Sequence, residues 1–165
     1  MPAVRMLAGL AAALALAVPG AAQNTSNFKT GGWTGYAQFD QQRFQYCIVY
    51  RAGNDGLEYG IRTTAQLGMF VGVSNKAWNM EPSSGYEFTI EVGSYRKDHR
   101  GTVTADRRNT LWLDVGNDAD LRRAIAAGGT MNLIGKGSAR FSLALLGSDN
   151  AMRKLLACTA LYGVE

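Results

Sequence analysis

The chain has 165 residues, of which 47% are hydrophobic and 18% charged, with a formal net charge of +4. This length corresponds to one domain with enough apolar side chains for a core, and the composition excludes an intrinsically disordered chain. The single His and two Cys exclude a His/Cys zinc cluster, and there is no HExxH motif, so we expect no metal site and no cofactor.

Residues 1–22 have the pattern of a secretory signal peptide. Arg5 supplies a positive charge, an apolar run covers residues 7–18, and Gly20, Ala21 and Ala22 place small residues before a cleavage site. Such a run rises only about 18 Å as a helix, less than the roughly 30 Å hydrocarbon core of a bilayer. We therefore expect a periplasmic or secreted protein of a Gram-negative bacterium, with no transmembrane segment after cleavage. An uncleaved anchor is the alternative.

Cleavage would leave 143 residues with a net charge of +3, because only Arg5 among charged residues is removed. Residues 23–32 are polar and aperiodic, which predicts a flexible leader, and residues 33–165 form a single β-rich domain. Alternating apolar positions and β-branched or aromatic runs indicate strands. The predicted strands cover residues 33–40, 44–51, 57–64, 67–74, 86–95, 110–115, 130–135 and 140–145.

Turns and loops separate these strands. Residues 53–56 (GNDG) predict a hairpin turn, since Asn, Asp and Gly tolerate positive φ. Residues 75–85 form a predicted loop around Trp78. The charged stretches 97–101 (KDHRG) and 106–109 (DRRN) predict two further turns, with a short extended segment between them.

Two helices are predicted in the C-terminal half. Asn117 is suited to cap a helix over residues 118–127, and Ser148 is suited to cap a second helix with one apolar face. About eight strands and two late helices indicate a mainly β fold, an antiparallel β-sandwich or barrel with helical additions.

Cys47 and Cys158 form an even pair in an exported chain, so a disulfide is expected. It would fasten the C-terminal helix to the strand at residues 44–51. Two buried free thiols are the alternative.

The sequence contains no persuasive catalytic set. His99 follows Asp98, but neighbours in an extended segment point in opposite directions, so Asp98 is poorly placed to orient the imidazole. There is no GxSxG motif, and Glu87 and Glu91 lie on the outward face of their predicted strand. We therefore expect no catalytic residues and a non-catalytic domain. An unrecognised hydrolase, with His99 in a cleft beside a carboxylate other than Asp98, is the alternative.

Basic residues indicate a binding surface instead. Arg96, Lys97 and Arg100 fall on one predicted turn and Arg107 and Arg108 on the next. Together they would form a positive rim for an anionic envelope component, such as a polymer or lipid headgroup, or for an acidic protein. Ordinary solvated loop charge is the alternative, and nucleic acid is not an expected partner of an exported domain.

Trp78 is the aromatic residue best placed for binding, because it lies in a loop rather than in an alternating strand. The other Trp and Tyr residues are typical of core and strand packing, although they would also suit a pocket or a sugar-stacking face. We combine Trp78 with the basic rim as the predicted binding surface.

Two stretches carry a family resemblance. The start, GGWTGYAQFD and FQYCIVYR, and the end, RFSLALLGSDNAMRKLLAC, resemble small secreted alphaproteobacterial proteins grouped as invasion-associated locus B-like. The resemblance implies a periplasmic or secreted β-rich domain and brings no active-site residues with it.

The hypothesis from the sequence is an exported, non-catalytic β domain that binds a protein or a cell-envelope component. One alternative is a β-barrel that holds a small ligand among its Tyr and Trp side chains. Another is an inhibitor of an exported hydrolase that inserts residues 23–32.

Overall fold

The computed structural model describes residues 25–137 and 139–163. The predicted signal peptide at residues 1–22 lies outside these ranges. Within them, no helix is both long and apolar enough to cross a membrane.

The described residues form ten strands and two helices. Their bounds are β1 (Thr25–Thr30), β2 (Trp33–Asp40), β3 (Arg43–Ala52), β4 (Leu57–Thr63), β5 (Met69–Asn75), β6 (Ser83–Val92), β7 (Tyr95–Val103), β8 (Thr110–Gly116), α1 (Ala119–Ala127), β9 (Thr130–Gly135), β10 (Arg140–Ala144) and α2 (Ser148–Tyr162).

All ten strands belong to one antiparallel sheet in the order β1-β2-β3-β4-β5-β8-β7-β6-β9-β10. The order runs from β1 to β10 without closing. The prediction of a mainly β, antiparallel fold with two helices in the C-terminal half is confirmed.

Alternation along the strands creates one buried face. In the register of β3, β4, β5 and β8, Val49 lies opposite Ile61, Ile61 opposite Val71, and Val71 opposite Leu113. All four side chains are buried and belong to the core. Since successive strand residues point to opposite faces, the residues between them form a second, outer face.

Helix α2 packs against β2, β3, β4 and α1, while α1 also contacts β6 and β7. The core therefore includes Leu121 and Ile125 of α1 and Leu155 of α2. The two hydroxyls of Thr63 and Thr159 are hydrogen-bonded where α2 crosses β4. This contact satisfies two buried polar groups at the helix–sheet interface.

Both helix starts differ from the prediction by one residue. Asp118, not Asn117, caps α1, and its Oδ1 accepts a hydrogen bond of 2.9 Å from Leu121 N. Gly147 precedes α2 with a left-handed φ of 74°. Ser148 is the first helical residue, and its hydroxyl donates to Ile125 O in α1, so it joins the two helices instead of capping one.

The predicted cysteine pair is at disulfide distance. Cys47 in β3 and Cys158 in α2 have Cα atoms 6.1 Å apart and are bonded as a disulfide. The bond fastens α2 to the sheet, as the sequence predicted.

Two segments predicted to lack strands contain them. Residues 25–30, within the predicted flexible leader, form β1, which pairs with β2; there the Phe28 ring covers Gly35, where a Cβ atom would clash with it. Residues 97–101 are the middle of β7, because the reversal comes earlier, at Gly93 with φ 57°. The predicted turn at 97–101 was wrong.

Candidate binding site around Trp78

A largely apolar cavity of about 680 Å³ opens beside the loop between β5 and β6. Its walls come from that loop, from β6, and from β9 and β10. We call it the Trp78 pocket, and its apolar and aromatic walls include Trp78, Met80, Tyr86, Phe88, Leu111 and Phe141. A concave, mostly apolar site of this size is typical of small-molecule and cofactor pockets.

Backbone hydrogen bonds fix the loop that presents Trp78. Asn75 ends β5, and its carbonyl oxygen accepts from Trp78 N at 3.0 Å while its side chain accepts from Ala77 N at 2.9 Å. Arg108 holds the loop from the other side, since its carbonyl accepts from Met80 N and its Nε donates to Met80 O. The loop is therefore fixed on both sides of Trp78, by Asn75 before it and by Met80 after it.

Three aromatic rings form one continuous wall of the pocket. The ring centres of Trp78 and Phe141 are 5.1 Å apart, and those of Phe141 and Phe88 are 6.1 Å apart with nearly parallel planes. Gly135 in β9 permits this arrangement, because a Cβ there would lie 3.0 Å from the Phe88 ring. Trp78 and Phe141 remain partly exposed. The wall therefore offers aromatic surface to a ligand.

One pair of opposite charges lies in the pocket lining, and a second lies beside the loop that carries Trp78. Lys136 forms an ion pair with Glu87, and Arg108 Nη2 lies 2.9 Å from Glu81 Oε1. Tyr86 donates its hydroxyl proton to Glu81 O. Exposed pairs of this kind contribute little to stability, so their main effect is to leave the mouth close to neutral.

The basic residues of the predicted rim are not on one surface. In β7, Arg96 and Arg100 alternate with Lys97, so Lys97 points to the opposite face of the strand. Arg96 pairs with Glu91, and Lys97 Nζ lies 2.8 Å from Asp118 Oδ2. The idea that Arg96, Lys97 and Arg100 cluster on a turn was wrong, since strand geometry separates them.

The turn at residues 106–109 is present, but its two arginines take different positions. Arg108 supports the loop of Trp78 as described above. Arg107 is exposed and lines cavities on another part of the surface, beside Trp112. Of the predicted binding residues, the structure brings together Trp78 and Arg108.

His99 belongs to a hydrogen-bonded network rather than to a turn. Its Nε2 lies 2.9 Å from the Tyr95 hydroxyl, which in turn lies 3.1 Å from Asp118 Oδ2. Burial lowers the pKa of His99 and raises that of Tyr95. Burial alone would raise the pKa of Asp118, but hydrogen bonds from Lys97, Leu121 N and Tyr95 together lower it to about 2.

The network joins β7 to the start of α1. The one hydroxyl proton of Tyr95 is available either to His99 or to Asp118 but not to both at once. His99 also lines a shallow cavity with Glu87 and Lys136. Over residues 25–137 and 139–163, no group of three His, Cys, Asp or Glu side chains is arranged to hold a metal ion.

Sequence reasoning identified Trp78 but missed the rest of its pocket. Phe141 and Phe88 were assigned only to strands, and Met80 was not singled out. The local signal for Phe141 was its position in a short final hairpin, after the turn sequence GKGSA at residues 135–139. Its contact with Trp78 depends on the tertiary fold.

The fold and the pocket define this chain as an antiparallel β domain with a cleft at its surface, in which one long sheet and two helices share a core. A crystal structure of invasion associated protein B from Bartonella henselae is similar, with a TM-score of 0.56 and 14% sequence identity. The match covers 83% of this chain and 99% of the other. At this identity the similarity shows the fold alone. It supports, for the fold, the resemblance to invasion-associated locus B-like proteins that the sequence indicated.

No protein-family model matches the sequence, and no curated protein matches it either.

Proposed function

We propose that this chain is an exported, non-catalytic binding domain whose Trp78 pocket holds an apolar group of a partner protein or cell-envelope component. The observation that carries the proposal is the aromatic wall of Trp78, Phe141 and Phe88 in a cavity of about 680 Å³. Burying such apolar surface yields roughly 25 cal/mol per Å². Contact of an apolar group with this wall would therefore favour binding.

The composition of the pocket favours binding over catalysis. Its charged lining residues are Glu87 and Lys136, which pair with each other at the mouth. His99 lies outside the pocket lining and makes its hydrogen bonds with Tyr95 and the backbone of Asp114. Among the described residues of the pocket there is no nucleophile with an adjacent base, the usual mark of covalent catalysis.

Export is part of the proposal and is supported by the pattern of residues 1–22 and by the Cys47–Cys158 disulfide. Disulfides persist in oxidising compartments such as the periplasm. The neutral mouth argues for a partner chosen by shape and apolar contact, since paired charges steer an anion poorly.

A small lipophilic ligand is the second candidate, and the volume of the Trp78 pocket favours it. The ligand would bind in this surface cleft and not among the buried rings of the sheet interior, where Trp33 and Tyr59 are packed in the core. Native mass spectrometry of protein purified from the periplasm would detect it as a reproducible added mass that Trp78→Ala removes.

We further infer that the sheet curls in the manner of a barrel. The support lies in contacts between strands far apart in the sheet order. Tyr59 in β4 donates its hydroxyl proton to Ser142 O in β10 at 3.0 Å, and Trp33 Nε1 in β2 donates to Leu146 O just beyond β10 at 3.0 Å. These bonds bring the two ends of the strand order towards each other.

The binding proposal is tested with immobilised, disulfide-bonded protein. The probes are a periplasmic protein extract, purified peptidoglycan, lipopolysaccharide, and phospholipid vesicles of phosphatidylethanolamine and phosphatidylglycerol. We expect one probe to be retained by the wild type and by a charge-reversed Arg107→Glu protein, but much less by Trp78→Ala. Equal retention by Trp78→Ala would refute a role for the pocket, and loss only on charge reversal would favour the basic-rim hypothesis.

A further inference from the structure

A second concave surface lies on the outer face of the sheet. In β8, Leu111 lines the Trp78 pocket, and its neighbour Trp112 points to the opposite face. Two cavities of about 270 and 410 Å³ flank the Trp112 ring, and both are also lined by Arg107. We call these two cavities together the Trp112 groove.

Two glycines allow the Trp112 ring to lie close against the sheet. Gly60, Gly72 and Trp112 are paired in one row across β4, β5 and β8. A Cβ atom at Gly72 would lie 2.5 Å from the indole, and one at Gly60 would lie 3.1 Å from it. Because Gly60 and Gly72 have no Cβ atoms, they leave a shallow depression on the sheet, and the indole of Trp112 fills it.

Further aromatic rings border the groove on both sides. Tyr36 and Tyr50 meet edge to face with ring centres 6.1 Å apart in the smaller cavity, and Tyr46 and Phe70 line the larger one. All four are partly exposed, whereas the aromatic rings of the inner face, such as Trp33 and Tyr59, are fully buried. Arg62 covers part of the Trp112 and Phe70 rings, and the remaining aromatic surface of the groove is accessible.

The guanidinium group of Arg62 lies over this aromatic surface. Its Cζ lies 4.4 Å from the ring centres of both Phe70 and Trp112, within the range of cation–π contacts. Its Nε is buried and has no hydrogen-bond partner among the residues that the structure describes. Buried donors normally have partners, so a missing one calls for an explanation.

The charges around the groove are mixed and unpaired. Arg62 and Arg107 are cationic, and Glu58, Asp106 and Asp114 are anionic. In the described part of the chain none of the five forms an ion pair. The three carboxylates would repel an anionic ligand, and the two guanidinium groups would repel a cation.

We propose that the Trp112 groove binds a neutral oligosaccharide. A sugar ring presents apolar C–H faces to an aromatic platform, and its hydroxyls both donate to carboxylates and accept from guanidinium groups. A purely apolar ligand would offer no hydrogen bonds to these five charged groups. A neutral polyol satisfies donors and acceptors together, and the two cavities beside Trp112 offer adjacent places for sugar units.

The test uses the chain purified from the periplasm of an expression host, with the disulfide formed. Maltotetraose, cellotetraose, chitotetraose and the acidic tetragalacturonate are added separately, and binding is followed by saturation-transfer NMR and titration calorimetry. Trp112→Leu removes the platform, and Arg107→Ala removes an exposed donor without disturbing the core. Trp78→Ala and Arg123→Ala are the matched aromatic and basic controls.

We expect at least one neutral tetrasaccharide to bind, with an affinity about tenfold weaker in Trp112→Leu and in Arg107→Ala and unchanged in both controls. No binding of a neutral tetrasaccharide at about 10 mM by the folded protein would overturn the proposal. Binding of tetragalacturonate alone, or binding lost in Trp78→Ala and kept in Trp112→Leu, would overturn it as well. The proposal for the Trp78 pocket stands or falls separately, because its variants are controls here.

Discussion

The ring centres of Trp78 and Phe141 lie 5.1 Å apart, although Trp78 belongs to the loop after β5 and Phe141 to β10 near the end of the sheet order. The contact joins two distant parts of the chain at the surface. Both rings keep part of their surface exposed, and Phe88 extends the wall they form. An aromatic wall of this kind, in a cleft with a neutral mouth, is the basis of the binding function proposed here.

The disulfide between Cys47 and Cys158 should be the main covalent support of α2. Replacing both cysteines with Ser should lower the free energy of unfolding by about 2–4 kcal/mol, because the unfolded chain would no longer be cross-linked over a long loop. Urea denaturation measures the loss. In the wild type, intact-mass analysis should show alkylation of both thiols only after reduction, and alkylation without reduction would contradict the bond.

The stability of the domain should depend on the protonation of His99. Burial lowers the pKa of His99 from its usual 6.5, so the unfolded chain binds this proton at a higher pH than the folded chain does. The free energy of unfolding then rises with pH between the two pKa values of His99. The contribution of the neutral imidazole to stability is lost as the pH falls from 6.5 through the pKa of the folded state.

The chain has one His, so a single variant tests this prediction. We expect the loss of stability between about pH 7 and 5 to be smaller in His99→Gln than in the wild type. Gln keeps a donor and an acceptor near Tyr95 while removing the titration. Denaturation curves with the same pH dependence in both proteins would show that His99 does not titrate differently on folding.

Asp118 should stabilise the start of α1 through its cap and its charge. Asp118→Ala removes the acceptor for Leu121 N and should cost about 0.5–2 kcal/mol at neutral pH. Asp118→Asn keeps a capping oxygen for Leu121 N but loses the charge and replaces Oδ2, which accepts from Lys97 and Tyr95, with an amide donor. Because the cap remains, its cost should be smaller. Thermal or urea denaturation of the two variants separates these contributions, and equal costs would assign the effect to charge.

Asp118, like His99, should make the domain more stable as the pH rises. The physical cause differs, because hydrogen bonds to the charged form lower the pKa of Asp118, whereas burial lowers that of His99. The pKa of Asp118 is lowered from 3.8 to about 2 in the fold, so its contribution to stability is present above pH 3.8 and is lost as the pH falls towards 2. Asp118→Asn should reduce the acid sensitivity of the domain in this window. An unchanged acid transition would indicate that other carboxylates dominate it.

The strands that sequence predicted correctly are those with strong alternation or β-branched runs, such as residues 33–40 and 44–51. Strand β7 was missed because its outer positions are charged and the stretch KDHRG reads as a turn. In the fold, these charges lie across from β6, where Arg96 faces Glu91 and Arg100 faces Glu87. Cross-strand pairing of opposite charges supports a strand there, and it is invisible without the register.

Strand β1 was missed because Phe28 is its one large apolar residue, and that ring finds its place over Gly35 only after pairing. Trp78 was predicted from its position in a loop, which is a local feature. The rest of its wall and the whole Trp112 groove depend on which strands become neighbours. Periodicity within one strand carries no information on that point.

The central claim is that the Trp78 pocket contacts a partner in the envelope, and photo-crosslinking tests it most directly. Asn79 lines the pocket and is exposed, so a photo-reactive amino acid at this position reports on whatever occupies it. The same amino acid at the exposed Arg123 of α1 serves as the control position. After irradiation of intact cells, we expect a discrete crosslinked product from position 79 that is absent from position 123 and strongly reduced when Trp78→Ala is added. Identical products from the two positions, or a product at position 79 that Trp78→Ala leaves unchanged, would contradict the claim.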